Sequence, residues 1–357
     1  MSDDTATARL GLHFAPPARN FSPWYQWMAR LAGTVHEDPF PDGGAPAEVL
    51  AWRERRRDRF GELLGPLPAA VPLVPETLET VRCDGYVRYK VVFDTEDTMS
   101  VPAYLLVPEA RDAPGPAVLA IHGHGPGKSH VCGLENTAQP NSDYARQLVL
   151  RGFVVLAPDL RCFGERLDDG PADHYACDTN LVHAVMAGWS PLTQNLWDMA
   201  RALDFLGQQP LVDPQRLGVA GLSYGGTLAL FLAAYDQRVA AAVVSGYLSS
   251  WAASHAVPLN MCGSQVLPGA LGRLEHVDVG ALVAPRPMLV ETGDQDPIFP
   301  VGPARRTVAQ LHRVYACFEA EDRLQHDVFE GGHQWHGQEA FPFLDRWLGQ
   351  RRAGAGA

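Results

Sequence analysis

No stretch of about 18 or more consecutive apolar residues occurs in the sequence, so nothing in it reads as a membrane span. The acidic start, Met1-Ser-Asp-Asp-Thr, leads into no apolar run and does not read as a secretory signal. Cysteine is sparse. Cys83, Cys132, Cys162, Cys177, Cys262 and Cys317 are scattered without a CxxC pair, which excludes a disulfide scaffold and matches no zinc-site spacing. Free thiols in a reducing cytoplasm are therefore expected. Positive charge is in deficit, with 29 Lys and Arg against 41 Asp and Glu and a net charge of -12. That balance disfavours nucleic acid and anionic lipid as partners. No internal repeat, no GxGxxG after a strand and no HExxH is found, so no nucleotide cofactor and no metal is expected.

What is present is globular in composition, 46% hydrophobic and 20% charged over 357 residues. The first twenty residues are small and polar and read as a loose arm. Short helices are expected at 24–31 and 48–64; the arginines of the second, interleaved with Glu48, Glu54, Asp58 and Glu62, read as a solvated face. From about Val81 the pattern changes. Eight strand-length runs follow, at 86–94, 101–107, 117–121, 153–157, 217–220, 239–243, 288–291 and 327–329, alternating with helical stretches. The apolar runs 117–121 and 153–157 suit strands buried on both faces. Alternation of this kind implies a mainly parallel sheet covered by helices on both sides. The economical division is an N-terminal arm and helical extension over 1–80, one catalytic domain over 81–352, and a disordered tail at 353–357.

The sharpest chemical signal is Gly221-Leu-Ser223-Tyr-Gly225-Gly226, set between an apolar strand (217–220) and a helix-forming run (227–234). A serine in a strained strand-to-helix turn needs glycines two before and two after it, where a Cβ would clash. The helix start then aims free N–H groups at developing negative charge. In this arrangement an acid and then a histidine follow the serine in chain order. Asp294 and Asp296 both lie just past the glycine turn that ends strand 288–291; the spacing favours Asp296, with Asp294 left as competitor. Among the downstream histidines, His312 falls in a helix and His326 at the wrong end of its strand. His333 follows the strand and Gly331-Gly332, with His336 as fallback. The loop His122-Gly-His124-Gly125, after the first long apolar strand, is placed to supply the second oxyanion donor. Backbone N–H groups of His124 and Tyr224 are thus the expected oxyanion hole. The ending Gly127-Lys128-Ser129 imitates a phosphate-binding loop, but position 122 is histidine where that motif needs glycine.

The run from Tyr86 to the C-terminus resembles the dienelactone hydrolase and acetyl xylan esterase-related branch of the α/β-hydrolases. The matching segments are His122-Gly-His-Gly125, Pro158-Asp-Leu-Arg-Cys-Phe-Gly-Glu-Arg166, Gly221 to Gly226, and Asn260-Met-Cys-Gly-Ser-Gln-Val-Leu-Pro268. Ala284-Pro-Arg-Pro-Met-Leu-Val-Glu291, Gly293 to Pro300 and Gly331-Gly-His333 complete them. The resemblance implies the α/β-hydrolase fold, the triad Ser223, Asp296 and His333, and a carboxylesterase or deacetylase acting on small or carbohydrate esters. Cys162 departs from it, standing where a glycine is usual.

The expected function is hydrolysis of a small-molecule ester or lactone through an acyl-enzyme. Three other readings share the motif: a peptidase similar to prolyl oligopeptidase catalytic domains, a biosynthetic lactonase, acyltransferase or cyclase, and a ligand-binding protein on a hydrolase fold. Tyr247, Trp251, Asn260, Cys262 and Gln265 are candidate pocket walls, and the loop 161–178, with Glu165, Arg166, Asp168 and Asp169, a candidate lid. Residues 20–64 are read either as a cap on the pocket or as a contact in a homo-oligomer.

Overall fold

The computed structural model describes residues 19–135, 139, 141–168, 176–255 and 262–349. The expected N-terminal arm, Asp169, Asn260 and the expected tail at 353–357 lie largely or wholly outside these residues. Two helices come first, α1 (Pro23–Gly33) and α2 (Pro46–Leu64). Then follow β1 (Glu76–Cys83), β2 (Tyr86–Glu96), β3 (Met99–Pro108) and β4 (Gly115–Ile121). The remainder alternates: α3 (Tyr144–Leu150), β5 (Val154–Pro158), α4 (Ala176–Met186), α5 (Pro191–Gly207), β6 (Val212–Leu222), α6 (Tyr224–Tyr235) and β7 (Val239–Ser245). It closes with α7 (His276–Val283), β8 (Met288–Gly293), α8 (Val301–Ala316), β9 (Leu324–Phe329) and α9 (Ala340–Gly349).

The strands form one sheet in the order β1-β2-β3-β5-β4-β6-β7-β8-β9. Pairing is antiparallel from β1 through β3 to β5 and parallel from β5 to β9. The sheet therefore has nine strands rather than the expected eight. The additional strand is β1, an edge strand of sequence ETLETVRC with no buried residue and most of its residues exposed. With one partner and solvent on its other side, it carries no alternating apolar face from which to recognise it.

Alternate side chains of the central strands go to opposite faces. Ala117, Leu119 and Ile121 of β4 join α2, α5, α6, α7 and α8 in one core, whereas Val118 and Ala120 meet α3 and α9 in the other. Helix α6 is apolar on all sides and fully buried from Leu228 to Ala233, as befits a helix pressed between sheet and neighbours. Helix α5 begins as its sequence demands: the Ser190 hydroxyl accepts the Thr193 N–H at 3.0 Å, with Pro191 in the first turn.

The arginines of α2 divide into two sets. Arg55, Arg57 and Arg59 make outward ion pairs, but Arg53 and Arg56 are buried on the face that carries Val49, Trp52 and Phe60. Arg53 donates to the carbonyls of Ala281, Leu282 and Ala284 at 2.8, 3.3 and 2.7 Å, taking up acceptors that the last turn of α7 leaves without partners. The expectation of a wholly solvated face thus fails for two of the five.

Candidate active site

The elbow stands where β6 hands over to α6. Ser223 has φ 61° and ψ -120°, in the left-handed region that costs a side-chain-bearing residue about 1–3 kcal/mol. The glycines around it are there for lack of room: a Cβ on Gly225 would overlap the Ile121 carbonyl oxygen, and one on Gly221 the Gly225 carbonyl. The Ser223 N–H donates to the Ser245 carbonyl at 3.0 Å, tying the turn to β7. Tyr224 opens α6, so its N–H is among those without an acceptor inside the helix.

The loop leaving β4 lies directly over this turn. A Cβ on Gly123 would stand 3.1 Å from that of Ser223 and closer still to the Leu222 carbonyl. The loop is held from below. The buried His122 accepts the Leu160 N–H at Nε2, 3.0 Å away, and burial keeps its imidazole below its ordinary pKa. Asp159, fully buried, accepts from the Lys128 N–H at 2.7 Å and from its ammonium at 2.5 Å. Burial works against the Lys128 charge, yet Asp159 and Glu165 outweigh it and leave the ammonium harder to deprotonate than a free lysine. Lys128, which in sequence imitates a phosphate-loop lysine, is here a structural cation beneath the loop.

Asp296 and His333 meet at the ends of neighbouring strands. His333 Nδ1 lies 2.8 Å from Asp296 Oδ2, while Asp296 Oδ1 accepts the N–H groups of Ile298 and Phe299 at 2.8 and 3.0 Å. The carboxylate is thereby fixed by three bonds. His333 stacks on Phe299, with ring centroids 5.6 Å apart, and its Nε2 is buried without a hydrogen bond among the described residues. Asp294 turns elsewhere and accepts the Gly331 N–H at 3.1 Å. His336 pairs with Asp327 at 2.6 Å and His326 with Thr292 at 3.1 Å.

Ser223, His333, Gly123, His124, Cys262 and Gln265 border one cavity of about 250 Å³, with Ile298 and Phe299 among its apolar lining. Of the other candidate wall residues, Tyr247 is buried in a stack against His276, and Trp251 borders a separate hollow with Leu31 and Val266. In the candidate lid, Arg161 and Arg166 turn inward to the buried Asp198, and Glu165 pairs with Lys90 and Lys128, so these three brace the β5 end. Sequence reasoning missed Glu291. It is fully buried and accepts the Gly337 N–H at 2.8 Å, so it pins the turn that carries His333; the signal was a glutamate ending an otherwise apolar strand.

A nine-stranded, mainly parallel sheet with a serine elbow after β6 defines the α/β-hydrolase class. The chain belongs to the Abhydrolase family, whose model matches residues 36–311. Among curated relatives it is 30% identical to "Putative hydrolase YtaP" of Bacillus subtilis, over 83% of this chain and all of that one. Two solved structures share the fold. A "putative acetyl xylan esterase" of Bacteroides fragilis matches with TM-score 0.74 and 21% identity, over 87% of this chain and 83% of that one. A glucuronoyl esterase from Solibacter usitatus matches with TM-score 0.60 and 16% identity, over 82% and 91%. Among the described residues, no helix is long and apolar enough to cross a membrane.

Proposed function

We propose that the protein hydrolyses a carboxylic ester of a small molecule or a carbohydrate, with Ser223 as nucleophile, His333 as base and Asp296 as the group that orients it. The observation carrying this reading is the convergence on one cavity of a strained serine elbow and a histidine whose Nδ1 is held by a fixed carboxylate. His333 Nε2 takes the Ser223 proton as Oγ attacks the ester carbonyl, and Asp296 stabilises the imidazolium that results. The tetrahedral oxyanion is received by the N–H groups of Tyr224 and His124; the close approach of Gly123 to Ser223 supports this assignment. Collapse of the intermediate expels the alcohol, which takes the proton from His333. Water, deprotonated by the same imidazole, then releases the acid from Ser223.

A cavity of about 250 Å³ suits a small acyl group such as acetyl, and the likeness to an acetyl xylan esterase and a glucuronoyl esterase points to an ester on a sugar. The test uses wild type, Ser223→Ala and His333→Ala with a fluorophosphonate probe and p-nitrophenyl acetate. Covalent labelling at Ser223, with turnover reduced roughly 10⁴-fold or more in both variants, is the expected result. A folded wild type that neither labels nor turns over the ester overturns the reading.

A further inference from the structure

Three thiols from separate segments come together beside this cavity, with Cys262 in its wall. Cys162 follows β5 in a turn with φ 71°, Cys177 opens α4, and Cys262 precedes the short turn Gly263–Gln265. They are 7%, 1% and 5% exposed, and none forms a disulfide. Cys177 contacts both Cys162 and Cys262 through sulfur, and Cys262 in turn reaches His124. One ring nitrogen of His124 and the sulfurs of Cys177 and Cys262 all lie within 4.8 Å of one another.

Two sulfurs and an imidazole are the ligand set of a thiophilic ion rather than of calcium or magnesium. Zinc bonds of about 2.3 Å to sulfur and about 2.0 Å to nitrogen put tetrahedral ligands roughly 3.4–3.8 Å apart, so small side-chain adjustments close the group. A pair of cysteines alone would suit a disulfide; the imidazole converging on the same point favours a metal. Cys162 neighbours Cys177 but lies outside the three mutually close ligand atoms, which leaves the fourth position to water. The other grouping of this kind, Glu291, Asp327 and His336, is explained by the hydrogen bonds that hold the 331–337 turn.

We propose that His124, Cys177 and Cys262 form a binding site for one zinc-class ion, set in the cavity wall beside Ser223. The ion would link the β4 loop, the start of α4 and the 262–265 turn. It engages the His124 imidazole and leaves the His124 N–H to its proposed oxyanion role. The assignment does not depend on the ester-hydrolase reading, because its readout is the metal itself.

The full-length protein, reduced and stripped with chelator, is titrated with Co²⁺ and then with Zn²⁺. One equivalent of Co²⁺ giving thiolate charge-transfer and tetrahedral d–d absorption, displaced by Zn²⁺, is expected. Cys177→Ser and Cys262→Ser should each weaken binding beyond the roughly 10–100-fold that loss of an outer partner costs, while Cys83→Ser leaves it intact. In wild type alone, bound Zn²⁺ should shield Cys177 and Cys262 from alkylation as read by peptide mass, which needs no variant to fold. Absence of both the Co²⁺ spectrum and the shielding overturns the proposal, as does binding that survives both substitutions. A Cys177–Cys262 disulfide in the unreduced protein, with no metal bound after reduction, overturns it in favour of a redox pair.

Discussion

At the scale of single residues the site turns on which of two aspartates faces the histidine. Asp294 and Asp296 are two positions apart on one loop, yet only Asp296 reaches His333 Nδ1, at 2.8 Å, while Asp294 holds the Gly331 amide. The amide of an asparagine at 296 would offer His333 a donor where it needs an acceptor and favour the wrong imidazole tautomer. Asp296→Asn should therefore lower kcat for p-nitrophenyl acetate by about 10⁴-fold with little change in stability. Asp294→Asn keeps an oxygen for Gly331 N–H and should leave kcat close to wild type. Steady-state kinetics on the two variants decide it, and the reverse order of damage would remove Asp296 from the mechanism.

At the scale of elements, α2 is bound to the sheet-bearing part by a buried guanidinium as much as by its apolar stripe. Arg53→Met would leave the Ala281 and Ala284 carbonyls at the end of α7 without their donor, each worth about 1–3 kcal/mol when buried, while Leu282 keeps only the longer bond from Arg286. A loss of about 3 kcal/mol or more in urea unfolding is expected, whereas Arg57→Ala, on the exposed side, should stay within about 0.5 kcal/mol. Equal effects would show that the Arg53 contacts carry no weight. The same helix marks the limit of what the sequence tells. Its charge pattern alternates in sign, and only the helical spacing of Val49, Trp52, Arg53, Arg56, Phe60 and Leu64 separates the buried arginines from the solvated ones. The buried strands β4 to β8 were legible because continuous apolar runs have few other uses. The edge strand β1 was not, since half its backbone faces water. The elbow could be read because its glycines are imposed within five residues of chain. The Cys162, Cys177, Cys262 and His124 grouping could not, because its members come from separate loops and no local spacing encodes them.

At the scale of the whole molecule, buried titratable groups pull stability in opposite directions as pH changes. Burial raises Glu291 and Glu275 to about 7 from 4.5, so each stays protonated in the native state where the unfolded chain has ionised. Their contribution is full below about pH 4.5 and is lost as pH rises towards 7. Burial lowers His255 and His326 to about 4 from 6.5 and holds His276 well below its ordinary value, so these stay neutral where the unfolded chain is protonated. Their contribution is full above about pH 6.5 and is lost as pH falls towards 4. The windows overlap and the slopes oppose, so the wild-type profile alone conceals both. A single neutral substitution separates them. Glu291→Gln keeps an acceptor for the Gly337 N–H but does not titrate, and Asp327 and His336, which also face this carboxylate, remain in both proteins. Stability of wild type relative to Glu291→Gln should fall between pH 5 and pH 8 by up to about 3 kcal/mol, measured by urea unfolding at each pH. A difference that stays constant across that range would mean that Glu291 ionises freely in the native state. Its hold on the turn carrying His333 would then be that of a carboxylate rather than a buried acid.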